Sequence, residues 1–413
     1  MPHRSLGISR KIKIIILPLI SAVFTAVYVA MDKYYLSIIS PDPYAYCFLS
    51  MWIGLIATTL FMVVMRIPFR KKQLIGTYID PNFQGFIVPK GKLLLLLLIA
   101  GLSSAISTIT YFYIVGVSSP SLVLPFTQIV IVYLIVSESL SYKETPTAIE
   151  IQSIIMILIG VFLMATTELS IDWITILLVL GPYNISLMIF TIALRHAKRM
   201  LYHNRKNDSL NLRFWSMIFN TLLIAVLIIP FISSKFYDGL AVLNSFVVVF
   251  IIITMLIATF SYITYIRALG IAKMSIVNAI ISFSIVLGIP ITIIGNLFYP
   301  GAFGSTAFTP IFWLFKSLGV LLILIGIITI GLSQVKAHIF IYLKGSSEPI
   351  LNDLLKIKGI TRVSAVSGER ILIATLQLRD LGKAYRTHIT DLEKIPGIEK
   401  IITFTHIKEW ERL

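Results

Sequence analysis

The chain is short of side chains that break or make covalent bonds. No spacing sets a nucleophile beside a paired base, a phosphate-cradling glycine loop before a helix, or a cluster of metal ligands, so catalysis has no carrier and neither an enzyme nor a cofactor is expected. The one cysteine, Cys47, excludes an intrachain disulfide and a cysteine metal cluster and reads as a small buried residue. What remains is a set of polar side chains inside long apolar runs, where a polar group is costly and therefore invites a functional role. Tyr28, Tyr111, Gln128, Tyr183, Asn184, Tyr262 and Asn278 are candidates to hold a solute by hydrogen bonds, with Asn220 behind them. Tyrosine and asparagine also bond neighbouring helices, and tyrosine populates membrane interfaces. Gly181 and Pro182, just before Tyr183 and Asn184, are expected to loosen their helix and free backbone groups towards a ligand. Asp32 lies about 18 residues into its apolar run, near the outer interface at a rise of about 1.5 Å per residue. It is a candidate proton or cation coupling group; the competing reading is a local pair with Lys33.

The elements that must position these groups follow from hydropathy. The chain has 413 residues, a mean hydropathy of +0.91 and only 13% charged residues, about half the charge of a soluble protein. Ten apolar runs approach or reach the length needed to cross a hydrocarbon core of about 30 Å as helices, near 14–37, 45–65, 93–115, 119–137, 149–167, 171–194, 212–232, 244–266, 275–298 and 311–333. The first run is too long for a cleavable signal. With the N-terminus inside, inward segments hold 20 lysines and arginines, from Arg4 to Lys336 and including Arg213, against 3 outward: Lys33, Lys235 and Lys316. This positive-inside pattern puts both termini in the cytoplasm of a cell-membrane protein. It accounts for most of the net charge of +16 without nucleic acid, and the natural partner of that charge is the lipid bilayer.

The runs also repeat. Tyr111, Gly116, Ser121 and Val123 match Tyr265, Gly270, Ser275 and Val277 at an offset of 154. FLSM at Phe48 returns as FWSM at Phe214, and ILIGVFL at Ile157 returns as ILIGIIT at Ile323, both at 166. Three echoes in one order read as a duplicated unit of five spans, and an odd number of spans inverts the second copy. Inverted repeats are a recurring transporter plan, with the solute site near the midplane between them. The most specific local pattern is SPSLVLPFTQIVIVYLIVSESLS followed by IMILIGVFLMA, which sets a small-residue turn at Ser121, then Pro125, Glu138 and Gly160. With ten spans in two inverted five-helix repeats, this resembles the drug/metabolite transporter superfamily, EamA type, over about 14–334. The second half departs from the pattern: Ala279 and Thr292 stand where Pro125 and Glu138 would recur. The resemblance implies a cavity lined by the first four helices of each repeat, with the fifth and tenth behind. Gly101, Ser103, Ala105, Ser107, Thr108, Ala258, Ser261 and Thr264 read as small residues for tight helix packing.

After Gln334 the texture becomes that of a soluble domain, with 12 basic and 9 acidic residues over 337–413. Strands are expected at 337–344, in a hairpin flanking SGER, and in IEKIITFT, with helices at 349–359 and 381–395. KIKGITRV at Lys356 echoes KIPGIEKI at Lys394, giving a βαββαβ, ferredoxin-like sandwich. Its details resemble the effector-binding domain of Lrp/AsnC regulators, although Gly368-Glu369-Arg370 lacks the family's usual aspartate. The resemblance implies a cytosolic module that pairs into a homodimer or binds a ligand near Gly368 and Glu369. The expected organisation is thus a five-helix repeat over 1–167, a second over 168–336 and the tail over 337–413. The expected function is secondary transport of small metabolites by alternating access, with exported amino acids or derivatives as the leading solute class. A non-transporting membrane sensor signalling through the tail is the alternative; a polar cavity favours the first and a dry bundle the second.

Overall fold

The computed structural model describes residues 10–40, 42–69, 73–117, 128–142, 148–165, 173–202, 205–303, 310–332, 335–344, 350–351, 354, 360–366, 370–378, 392 and 395–405. Helices dominate: α1 (Arg10–Tyr34), α2 (Pro43–Met65), α3 (Lys92–Val117), α4 (Val130–Tyr142), α5 (Ala148–Ala165), α6 (Trp173–Leu178), α7 (Asn184–Arg199), α8 (Ser209–Leu227), α9 (Ser234–Ala241), α10 (Ser245–Ile271), α11 (Met274–Ile281), α12 (Phe283–Phe298) and α13 (Pro310–Leu332). Six stretches are long and apolar enough to cross a membrane: Ile12–Ile39, Pro43–Met65, Lys92–Gly116, Ser209–Leu227, Ser245–Ile271 and Met274–Phe298. Where the other four spans are expected stand α4, α5, the broken pair α6–α7, and α13. Each is shorter, interrupted, or adjoins residues outside the described set. Exposed apolar stripes such as Ile56, Leu60 and Val63 on α2 and Val249 and Ile253 on α10 would be a liability in water. They are what a helix presents to lipid, and the chain is a multi-pass membrane protein.

The chain divides into two compact units, Met1–Ile135 with Ser153–Ile327, and Val136–Gln152 with Ile328–Leu413. In the first, local chemistry starts the helices. Asp42 caps α2 by accepting from Ala45 N at 2.6 Å, with Pro43 at the first turn. Asp208 caps α8 through Asn211 N at 2.7 Å, and Asn244 caps α10 through Val247 N at 3.0 Å. Residues Tyr35–Ile39 and Val179–Tyr183 form wide, π-type turns, the second at Gly181-Pro182, where the proline cannot donate.

Close approach of backbones sets the packing, and it recurs in pairs. A Cβ on Gly160 of α5 would meet Gly319 O at 2.7 Å and Ile323 at 3.0 Å; one on Gly326 of α13 would meet Ser153 O at 2.8 Å and Ile157 at 2.6 Å. Adding 166 to Ser153, Ile157 and Gly160 gives Gly319, Ile323 and Gly326, so each helix offers the other equivalent residues. Likewise a Cβ on Gly101 of α3 would lie 3.1 Å from Asn220 N, and one on Gly54 of α2 would lie 2.7 Å from Met255. Those four positions are related by the same two offsets, 154 for Gly101 to Met255 and 166 for Gly54 to Asn220. The apolar core beside them gathers Tyr35, Tyr46, Cys47, Met51, Phe112, Met217, Ile251 and Met255, with the rings of Tyr35 and Tyr46 stacked at 3.9 Å.

In the second unit, four antiparallel strands, β3 (Val335–Leu343), β4 (Ile360–Ala365), β5 (Ile371–Leu378) and β6 (Ile398–Thr405), form one sheet in the order β4-β5-β3-β6. The remaining strands, β1 (Leu201–Tyr202) and β2 (Arg205–Lys206), make a small hairpin in the first unit. Alternation puts Ile339, Ile341 and Leu343 of β3 on one face with Leu372 and Ala374 of β5, and Ile350, Leu354 and Leu392 bury against them. Gly397 has φ +98°, a conformation glycine supplies at low cost, in the turn into β6. The expected helix over 381–395 lies almost wholly outside the described residues, as do Gly368 and Glu369.

Candidate functional site

Helical spacing brings the polar residues of the first unit onto shared faces. On α1 they are Ser21, Thr25, Tyr28 and Asp32; on α3, Ser104, Ser107, Thr108 and Tyr111; on α10, Thr254, Ser261, Tyr262 and Tyr265. Spacings of three, four and seven form one stripe on each helix. These stripes converge on a cavity of about 180 Å³, completed by Tyr183 and Thr191, by Arg213 and Asn220 of α8, and by Gln128, Asn278 and Ser284. That volume is below the roughly 300–1,000 Å³ of drug-sized pockets, so the space suits a small solute.

Hydroxyl contacts tie the walls together. Ser21 and Ser261 are reciprocal donors, each Oγ lying 3.0 Å from the other's carbonyl oxygen, and Thr25 Oγ1 lies 2.8 Å from Ser261 Oγ. Ser282 Oγ donates to Gln128 Oε1 at 2.9 Å. Tyr265 and Thr191 share a 2.7 Å contact between hydroxyls, and Asn278 Nδ2 donates to Tyr265 at 3.2 Å. Asp32 is 3% exposed; its Oδ1 accepts from Tyr46 at 2.7 Å and its Oδ2 from Tyr111 at 3.4 Å. Lys33 turns away and donates to Val115 O at 3.3 Å. The acid thus faces the cavity rather than its sequence neighbour.

Of the residues singled out in the sequence, Tyr28, Asp32, Tyr111, Gln128, Tyr183, Tyr262 and Asn278 all line this space. Asn184 does not. Its Nδ2 donates to Val179 O at 2.6 Å, the carbonyl that also accepts from its own backbone N–H at the end of the wide turn. Sequence reasoning missed Arg213, counted there as one more inward charge. Arg213 is 4% exposed, and its guanidinium carbon lies 4.2 Å from the centre of the Tyr262 ring. It also treated Ser107, Thr108 and Ser261 as packing residues only; their shared spacing with the tyrosines was the available clue.

A second buried polar network closes the turns at the start of α8. Asp80, in the loop after α2, accepts at Oδ2 from Lys198 Nζ at 2.7 Å and from Ser209 N at 2.8 Å. Lys198 Nζ also donates to Asn207 O at 2.7 Å. Asn211 bridges this turn to the loop, donating to Gly85 O at 2.8 Å and accepting from Ile87 N at 3.1 Å. Burial alone would raise the Asp80 carboxyl, but the Lys198 ammonium and the amides of Asn82 and Ser209 outweigh it and hold it below the ordinary value. Asp208 lacks so close a cation, and burial pushes it up to about 6.

These polar stripes inside an apolar-faced bundle coincide with a family match. Residues 12–166 match the EamA-like transporter family. The matched segment runs from the start of α1 to the end of α5 and carries Tyr28, Asp32, Tyr111 and Gln128 among the residues that line the cavity. EamA-like proteins are transporters, which agrees with a site built for holding rather than for bond making. A solved structure titled "Crystal structure of protein" is similar over 76% of this chain and 97% of its own, at 13% identity and a TM-score of 0.46, too distant to carry an argument. No curated protein matches the chain.

Proposed function

We propose that this chain is a secondary transporter of small metabolites in the cytoplasmic membrane, with amino acids or their derivatives as the solute class and export as the direction. The observation that carries the reading is the cavity: a small polar space lined by several helices, within a bundle whose outer faces are apolar. A bundle that only anchored a sensor would gain from filling this space with apolar side chains, since buried polar groups without partners are costly.

The mechanism is alternating access between two inverted five-helix repeats, 1–167 and 168–336, in a ten-span fold. The paired close contacts support this. Gly160 against Gly319 and Gly326 against Ser153 are one contact with the halves exchanged, and so are Gly101 against Asn220 and Met255 against Gly54. Gln128 and Ser282, related by the offset of 154, bond directly to each other, as residues on a two-fold axis do. Rocking about such an axis would open the cavity to one face and then to the other. The inward excess of lysine and arginine supports a reading with both termini in the cytoplasm. The sheet order β4-β5-β3-β6 is that of a ferredoxin-like βαββαβ domain and supports a cytosolic tail over 337–413 that dimerises or senses ligand.

The full-length protein, reconstituted into liposomes loaded with a mixture of unlabelled amino acids, should take up labelled amino acids by exchange. Absence of exchange for every amino acid would remove the solute class. A general block, extending to other small metabolites, would remove transport itself.

A further inference from the structure

Among the described residues that line the cavity, Arg213 is the single cation and Asp32 the single acid. Asp32 is already engaged, each carboxylate oxygen accepting from a tyrosine hydroxyl. Arg213 is not: it lies 96% inside the protein, given its 4% exposure, and its Nε has no hydrogen-bond partner among the described residues. The Tyr262 ring supplies a cation–π contact at 4.2 Å, but a ring face accepts no conventional N–H hydrogen bond. A buried guanidinium with a free donor is costly unless an anion completes it.

The two charges also stand at different levels. Ser21 of α1 is paired with Ser261, next to Tyr262, and Asp32 lies eleven residues further along α1, roughly 16 Å of helix rise. Asn220 follows Arg213 by two turns on the same face of α8, and its Oδ1 is a second buried atom without a partner. It offers an acceptor further along the cavity.

Resting on the transport reading above, we propose that Arg213, stacked on Tyr262, is the anion-recognition group of the cavity and that the solute carries a single carboxylate which docks there. One positive charge matches one negative charge, and the planar guanidinium fork matches the planar carboxylate in a bidentate pair. A phosphate dianion would ask for a second cation, which the described lining residues do not supply. Asp32 is left for a separate role in coupling.

The test measures thermal shifts of the full-length protein in detergent against the twenty amino acids. Each one that stabilises is then compared with its amide, which lacks the carboxylate, and with its deamino acid, which lacks the amine; for leucine these are leucinamide and 4-methylpentanoate. Removing the carboxylate should weaken apparent affinity about 10–150-fold, the value of hydrogen bonds to a charged group, and more than removing the amine does. Arg213→Met should abolish the preference of acid over amide. Arg213→Lys should keep the charge but lose most of the affinity, and exposed Lys206→Gln, an equal change in net charge, should leave the preference intact. Equal binding of acids and amides by the native protein, or a preference that survives Arg213→Met, overturns the assignment. Should Arg213→Met not fold, the native acid-to-amide ratio and Arg213→Lys decide. Exchange in liposomes by a protein that shows no carboxylate preference would sink the anion site and leave transport standing. A carboxylate preference in binding without exchange of any solute would do the reverse.

Discussion

Lys198 Nζ and Asp80 Oδ2 meet at 2.7 Å with both side chains buried, joining the loop after α2 to the last turn of α7. Removing one partner strands the other charge. Asp80→Ala and Lys198→Ala should each destabilise by about 3–5 kcal/mol, while the double variant loses clearly less than their sum. Thermal melts of the four proteins in one detergent make the cycle. Additive losses would show that the pair acts through separate contacts.

Asp208 gives a pH dependence with a definite sign. Its folded value, about 6, stands above the ordinary 3.9 of an aspartate. The folded state therefore holds this proton more tightly than the unfolded one. The contribution to stability is full below about pH 4 and is lost as pH rises through 6. Asp208→Asn retains an oxygen to cap Asn211 N, removes the charge and gives up the bond from Asn211 Nδ2. Its stability relative to the native protein should be about 1–3 kcal/mol more favourable at pH 7.5 than near pH 4.5. Melting temperatures of both proteins across that range check it; a difference that does not change with pH counts against the account.

Gly101 sits where α3 and α8 touch. An added Cβ would lie 2.4 Å from Phe219 Cβ and 3.1 Å from Asn220 N, with backbone behind it and little room to yield. Gly101→Ala should cost about 1–3 kcal/mol. Gly288→Ala, in α12 with nothing within 4 Å, should be neutral or stabilising by up to about 1 kcal/mol. Denaturation of the two variants side by side provides the comparison.

Asn184 serves the turn at Val179–Tyr183 rather than the cavity. Asn184→Ala should cost about 0.5–1.5 kcal/mol by removing one of the two hydrogen bonds to the Val179 carbonyl, with the KM for any transported solute unchanged. A raised KM at unchanged stability would return Asn184 to the solute site.

Asp32, held by Tyr46 and Tyr111 inside the cavity, is the coupling candidate. Asp32→Asn should abolish flux driven by a pH gradient and preserve solute exchange at equal pH on both sides. Flux measured in liposomes under both conditions separates the two. Gradient-driven flux at native rate in the variant would remove Asp32 from coupling.

Helix positions were legible because apolar runs of span length have few alternatives in lipid. The six long stretches begin within three residues of the expected limits and end within five, and Asp42, Asp208 and Asn244 cap three of them. Tyrosines and amides were conspicuous in such runs and pointed to the cavity. Serines and threonines were not, because the same side chains serve tight packing, as Ser21 and Ser261 also do here. Arg213 was hidden by the rule that explained orientation: a cation near the end of a span is expected to face cytoplasm, and only tertiary packing turns this one inward over Tyr262. Asn184 turns back along its own helix, where its side chain and its backbone N–H both donate to the Val179 carbonyl.

The sole thiol of the chain, on Cys47, is sealed among Tyr35, Tyr46 and Met51. Water-borne maleimides should pass it by, so the native protein is already a blank background for labelling chemistry. A reactive handle placed at an exposed site outside the spans, Tyr78 or Tyr237 for instance, would report alone. Sidedness and motion can then be followed without first stripping the sequence of competing sulfur.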